Sequence, residues 1–257
     1  MRYILKNNIK NIIMKGWEFN KLDIENYNNP QTRLYNYFTF IKENFNRLEG
    51  DIFDFGVFRG KSIISSALLL KSLGSKKKIY GFDSFCGLSS FVNEKDNLEM
   101  FDKMYKNNQI NKEQYESYKR HKIINNFNNV NNKCLETSNS KDFSGTSLEY
   151  LKKKIKFFNL DNIILVKGSF SESLKKFKKH KIFCANIDCD LYDSYKDCLP
   201  FTYDNMVKGG YIHLDEYYSL KFPGAKIFCD EFCKEKNIKL IKYENPIIKW
   251  PRYHIIK

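Results

Sequence analysis

The chain repeats one device: a short apolar run that stops at a glycine or an acid and gives way to a helix. Asp51–Phe58 (DIFDFGVF) passes through a tight loop at Gly60 into Ser62–Leu73 (SIISSALLLKSL), an apolar helix closed by Gly74. Lys78–Phe85 (KIYGFDSF) is a second strand. A helix beginning at Ser147 leads into a third, Asn162–Lys167 (NIILVK), and Ile182–Ile187 (IFCANI) runs straight into Asp188-Cys189-Asp190. A helix over 192–206 and a turn at Gly209-Gly210 precede Tyr211–Leu214 (YIHL), which ends in Asp215-Glu216. Pro223-Gly224 opens a helix over Ala225–Lys236, and strands Lys239–Tyr243 and Arg252–Ile256 bring the total to seven. Strands alternating with helices predict an α/β fold, a mostly parallel seven-stranded sheet with helices on both faces. Ligands of such sheets sit at the carboxyl ends of the strands, where the strand order reverses.

Two segments stand outside this rhythm. Residues 1–49 read as a helical N-terminal extension, with Leu34, Tyr37, Phe38, Ile41 and Phe45 at helical spacing. Residues 93–142, rich in Asn, Lys and Tyr, show helical patches and no clear strand, and read as a lid inserted into a domain spanning 50–257. The basic N-terminus is interrupted by Lys and Asn too often for a signal-peptide core, and no stretch approaches the roughly 20 apolar residues of a membrane span. Seven scattered cysteines suit reduced thiols and a cytoplasmic location. Cys229 and Cys233 share a helix face, but no His or second Cys pair follows at zinc-site spacing. The net charge of +14 comes from Lys spread along the whole chain, including Asn-rich NNFNNVNNK at 125–133. This argues for compositional bias over a nucleic-acid face, which would cluster its cations with aromatic residues.

The strand ends carry the chemistry. DFGVFRGKS (54–62) imitates a phosphate loop but has three residues, not four, between Gly56 and Gly60. With Asp83 at the second strand end, positioned for a ribose, the loop fits S-adenosylmethionine, which carries a sulfonium and no phosphate. Gly56 and Gly60 could equally serve only a strand-to-helix turn. Asp188, Asp190, Asp215 and Glu216 would crowd one small space if strands four and five are neighbours, and a hard divalent cation such as Mg²⁺ relieves such crowding. Otherwise these acids cap helices and bind backbone amides.

GDIFDFGVFRGKS, FDSFCGL, VKGSFSESL, NIDCDLYDSYKDCLPF, GGYIHLDEY, PGAKIFCDEF and the terminal WPRY together resemble the macrocin O-methyltransferase family, over about residues 33–253. That resemblance implies a Rossmann-like class I methyltransferase fold and Mg²⁺-dependent methylation of a sugar hydroxyl by S-adenosylmethionine. It implies that Gly56, Arg59, Gly60 and Ser62 line the methionine end of the cofactor, Asp83 and Ser84 the ribose, and Gly168, Ser169 and Phe170 the adenine side. Asp188, which also borders the cofactor, would bind metal with Asp215 and Glu216, and Asp190 would take the proton as the oxygen attacks in line; His213 is the alternative base. The chain departs from the family in carrying Asp215-Glu216 where Asp-Asp is usual, and in the length of 93–142. Rival readings are a catechol-type O-methyltransferase and a non-catalytic basic module binding nucleic acid. A homodimer through residues 1–50 is a further expectation.

Overall fold

The computed structural model describes residues 14–88, 93–128, 145–218, 222–244 and 251–257. In chain order the elements are α1 (Gly16–Lys21), α2 (Tyr35–Asn44), β1 (Asp51–Phe55), α3 (Lys61–Ser72), β2 (Ile79–Asp83), α4 (Met100–Lys106), α5 (Lys112–Asn128), α6 (Leu148–Phe157), β3 (Ile163–Lys167) and α7 (Phe170–Ser173). They continue with β4 (Ile182–Ile187), α8 (Tyr192–Asn205), β5 (Met206–Leu214), α9 (Pro223–Glu235), β6 (Ile241–Tyr243) and β7 (Arg252–Ile256). The strands form one sheet in the order β3-β2-β1-β4-β5-β7-β6. The first five run parallel, and β7 pairs antiparallel with both β5 and β6. The order reverses between β1 and β4, so that is where a ligand crevice is expected.

The period-2 alternation of the strands divides the core into two layers. Phe53, Phe55, Ala185, Ile187, Ile212 and Leu214 pack with residues of α8 and α9, including Tyr195, Leu199, Phe228 and Phe232. On the other face Ile52, Cys184 and Tyr211 meet α2, α3 and α6 through Tyr37, Phe38, Ile63, Ile64 and Leu151. Each such fully buried apolar side chain stabilises by about 1.5–3 kcal/mol relative to exposure. Phe19, Leu34, Tyr37, Phe38 and Ile41 of the N-terminal segment are as buried as the sheet itself, so α1 and α2 complete this layer.

Gly209 and Gly210 do not form the predicted turn. They lie inside β5, which begins at Met206, and the register slips between Ile182 and Cys184 opposite them. Gly209, at φ +80°, absorbs the irregularity, while its amide donates to the Lys257 carbonyl at 2.7 Å. Residues 94–96 form one turn of 3-10 helix, and α4 and α5 build a small cluster of Phe101, Met104, Ile110 and Tyr118.

Candidate active site

Gly56 closes the end of β1 against the end of β4. A Cβ on it would lie 1.7 Å from the Asp188 carbonyl oxygen, and its φ of +80° suits glycine. Gly60 begins α3 in the same left-handed region. Between them the Phe58 amide donates to Asp83 Oδ2 at 2.8 Å, and the Phe85 amide donates to Asp83 Oδ1 at 2.6 Å. Asp83 thus ties the first two strand ends together, with spare lone pairs on both oxygens. The Ser84 hydroxyl donates to the Gly87 carbonyl at 2.8 Å and holds the next turn.

These strand ends enclose a cavity of about 590 Å³, within the usual range for small-molecule sites. Gly56, Ser62, Asp83, Ser84, Gly168, Ser169, Phe170, Asp188, Asp190, Asp215 and Glu216 all border it. Arg59 and Gly60 do not. The Arg59 side chain turns outward, where Nε donates to the Gly145 carbonyl at 3.2 Å and the guanidinium lies over the Phe58 ring. Lys61 lines the cavity, and its Nζ stands 3.5 Å from Glu25 Oε1. Seven lining residues are acids and two, Arg33 and Lys61, are cationic. This wall opposes the net charge of the chain and is the wrong sign for a polyphosphate.

Asp188, Asp215 and Glu216 each offer a carboxylate oxygen within 4.8 Å of the others. Sequence reasoning missed what holds them. Arg33, in the turn before α2, donates from Nη2 to Asp188 Oδ2 at 2.8 Å and from Nη1 to Asp215 Oδ2 at 2.5 Å. The Tyr195 hydroxyl stands 2.7 Å from Glu216 Oε2 as its donor. Burial pushes the Glu216 carboxyl well above the usual range, and the charges of Asp188 and Asp215 push the same way. Burial also raises Asp188, against the pull of Arg33. Burial would raise Asp215 as well, but Arg33 and His213 overcome it and hold that carboxyl below the usual range.

The donor set fits a hard divalent cation. Its three carboxylates and one guanidinium leave a formal charge of −2 when all are ionised, and Asp215 Oδ1 is buried with no hydrogen-bond partner. Asp190 lies on the cavity wall with φ +64°. His213 is 1 % exposed within β5 and does not border the cavity; its Nε2 stands 3.5 Å from Asp215 Oδ1. It sits in register with Asn186 of β4, itself opposite Asp54 of β1, and the Asn186 side chain donates to Asp54 Oδ1 at 2.9 Å. Burial pushes Asp54 up to about 7, against the hydrogen bonds of Ser62 and Asn186.

The profile of the family described as Macrocin-O-methyltransferase (TylF) matches residues 125–248, which carry Gly168–Phe170 and the four acids that follow β4 and β5. Over those residues, just under half of the chain, it is similar to the macrocin O-methyltransferase family. The resemblance seen in the sequence is borne out by this match, which supports an O-methyltransferase. Solved structures agree on the fold. The O-methyltransferase NovP shares 19% identity over 88% of this chain and 79% of its own, with a TM-score of 0.63. The calicheamicin methyltransferase CalS11 shares 18% over 93% and 90%, at 0.61. An O-methyltransferase from Bacillus cereus, solved in complex with SAH, shares 11% over 96% and 93%, at 0.51. No curated protein gives a significant match.

Proposed function

We propose that the protein transfers a methyl group from S-adenosylmethionine to a hydroxyl of a sugar or glycosylated small molecule, with Mg²⁺ held by Asp188, Asp215 and Glu216. The observation that carries this reading is the gathering of those three carboxylates beside Asp190, at the switch point of a methyltransferase sheet. The names of NovP and CalS11, an O-methyltransferase and a calicheamicin methyltransferase, support it. When bound, S-adenosylmethionine supplies an electrophilic methyl on sulfur, and the cation supplies positive charge beside the acceptor oxygen.

This chain's residues do the rest. Asp83, which fixes the Gly56–Gly60 loop, would accept from the ribose hydroxyls, and Phe170 with the Gly168–Ser169 turn would hold the adenine. Asp190 takes the acceptor proton onto its carboxylate. Leu191 and Phe222 give the cavity apolar wall, and orientation within it contributes to the rate. Residues 93–128 of the inserted segment are assigned to the acceptor side; the rest of it, to 142, lies outside the described residues. The segment's first residues are anchored there, with Asn93 donating to Asp193 Oδ1 at 3.2 Å and Lys95 Nζ to the Tyr192 hydroxyl at 2.9 Å.

Asp188→Asn assayed with and without EDTA, using radiolabelled cofactor and a panel of sugar and catechol acceptors, tests the proposal. Loss of transfer in the variant and on chelation supports it. Unchanged transfer in both removes the metal role, and labelling of catechols with no sugar labelled removes the acceptor class.

A further inference from the structure

Arg33 reaches the site from the N-terminal segment, and its position is built. Its Nε stands 3.6 Å from Glu25 Oε1. Glu25 is itself fixed: the Thr32 hydroxyl donates to Oε2 at 2.5 Å, and the Ser65 hydroxyl donates to its carbonyl at 2.7 Å. The guanidinium is therefore held from behind while its fork faces two carboxylates from different strand ends. It occupies the Oδ2 atom of each, while Asp215 Oδ1, buried without a well-formed hydrogen bond, has His213 Nε2 at 3.5 Å.

We infer that Arg33 is a positioning residue for the divalent cation: it clamps Asp188 and Asp215 by their Oδ2 atoms and so fixes the two carboxylates, with Glu216, at the spacing in which they meet a bound metal. The inference rests on the reading of those three acids as ligands. A planar guanidinium with donors in a rigid fork fixes the spacing of two carboxylates, which a lysine ammonium cannot do. The added +1 lowers the carboxylates' mutual repulsion and leaves the formal −2 that a divalent cation neutralises. Partners that orient metal ligands in this way are worth about 10–100-fold in metal affinity.

Calorimetric titration of the full-length wild type, Arg33→Lys and Arg33→Gln with Mn²⁺ or Mg²⁺, without acceptor, tests the clamp independently of turnover. Both variants are expected to bind the cation about 10–100-fold more weakly, the lysine included because it keeps the charge and loses the fork. Wild-type affinity in Arg33→Lys, or unchanged or tighter binding in Arg33→Gln, overturns the inference. Should the Arg33 variants fail to fold, Glu25→Gln keeps Arg33 and loosens its tether; weaker binding there supports the clamp, and unchanged binding overturns it. Absence of cation binding by the wild type overturns both this inference and the metal part of the proposed function. Binding that is normal in every variant overturns the clamp alone.

Discussion

The Tyr195 hydroxyl lies between Glu216 Oε2, at 2.7 Å, and the Ile187 carbonyl, at 2.9 Å, and all three groups are buried. One phenol on α8 therefore braces the end of β4 and the acid that follows β5. Tyr195→Phe removes the only donor that hydroxyl supplies and leaves both acceptors in a closed space, at a cost of about 1–3 kcal/mol. The expected outcome is a clear drop in thermal midpoint by calorimetry, with weaker cation binding. A variant as stable as the wild type and with unaltered cation affinity would show that Glu216 needs no brace.

Asp190 and His213 make a cleaner pair of alternatives in the structure than in the sequence. Asp190 borders the cavity, whereas His213 is sealed within the sheet. Asp190→Asn is a mild change of shape, since asparagine tolerates the left-handed conformation seen at φ +64°. It should lower kcat by about 10²–10⁴-fold with cofactor affinity retained, as for loss of a general base. His213→Asn should act mainly on stability. A larger kcat loss in His213→Asn than in Asp190→Asn would reverse the assignment.

The strands were legible because each is a compact apolar run, and the acids of the site because each directly follows such a run. The early start of β5 was not legible: Met206–Gly210 lacks an alternating pattern, and it becomes strand by pairing with the chain end, where the Lys257 amide donates to the Gly210 carbonyl at 3.1 Å. Arg33 was hidden for a similar reason. Its partners lie 155 and 182 residues away, so no local rule separates it from Arg59, which sits in the Gly56–Gly60 loop yet points outward. Asp54 did leave a signal, an acid in the middle of an apolar strand, and its burial follows from that.

Gly56 is where the 54–62 loop is least replaceable. Gly56→Ala would place a methyl group on the Asp188 backbone carbonyl at 1.7 Å, a contact that only separation of β1 from β4 can relieve. Backbone clash and left-handed strain act together, so a loss above about 3 kcal/mol is expected. Denaturant titration should show it directly. Gly74→Ala is the control, because it has a positive φ but open space around its Cβ, and it should cost less. Equal losses in the two variants would mean that backbone conformation alone, without the close approach to β4, sets the requirement.

Asp96 fastens the start of the 93–142 segment to two helix N-termini. Its two carboxylate oxygens accept from the Tyr192 amide at 3.0 and 3.1 Å, and the Gly224 amide also bonds to it. Burial pushes its carboxyl up from the ordinary 3.8 to about 7, against those hydrogen bonds. Between these values the folded chain holds a proton that the unfolded chain releases, so stability falls as pH rises through this window, by about 1.4 kcal/mol per pH unit at most. His254, held neutral down to about 4 by burial and by His213, contributes with the opposite sign below its ordinary 6.5. The two are separated by comparing Asp96→Asn with the wild type, where the His254 contribution cancels. Relative to wild type the asparagine variant should gain stability steadily from pH 5 to 7 and level off above that, as read by urea unfolding at each pH. A difference that stays constant from pH 5 to 8 would mean that Asp96 is already ionised in its helix cradle at pH 5, with the two N-termini outweighing burial.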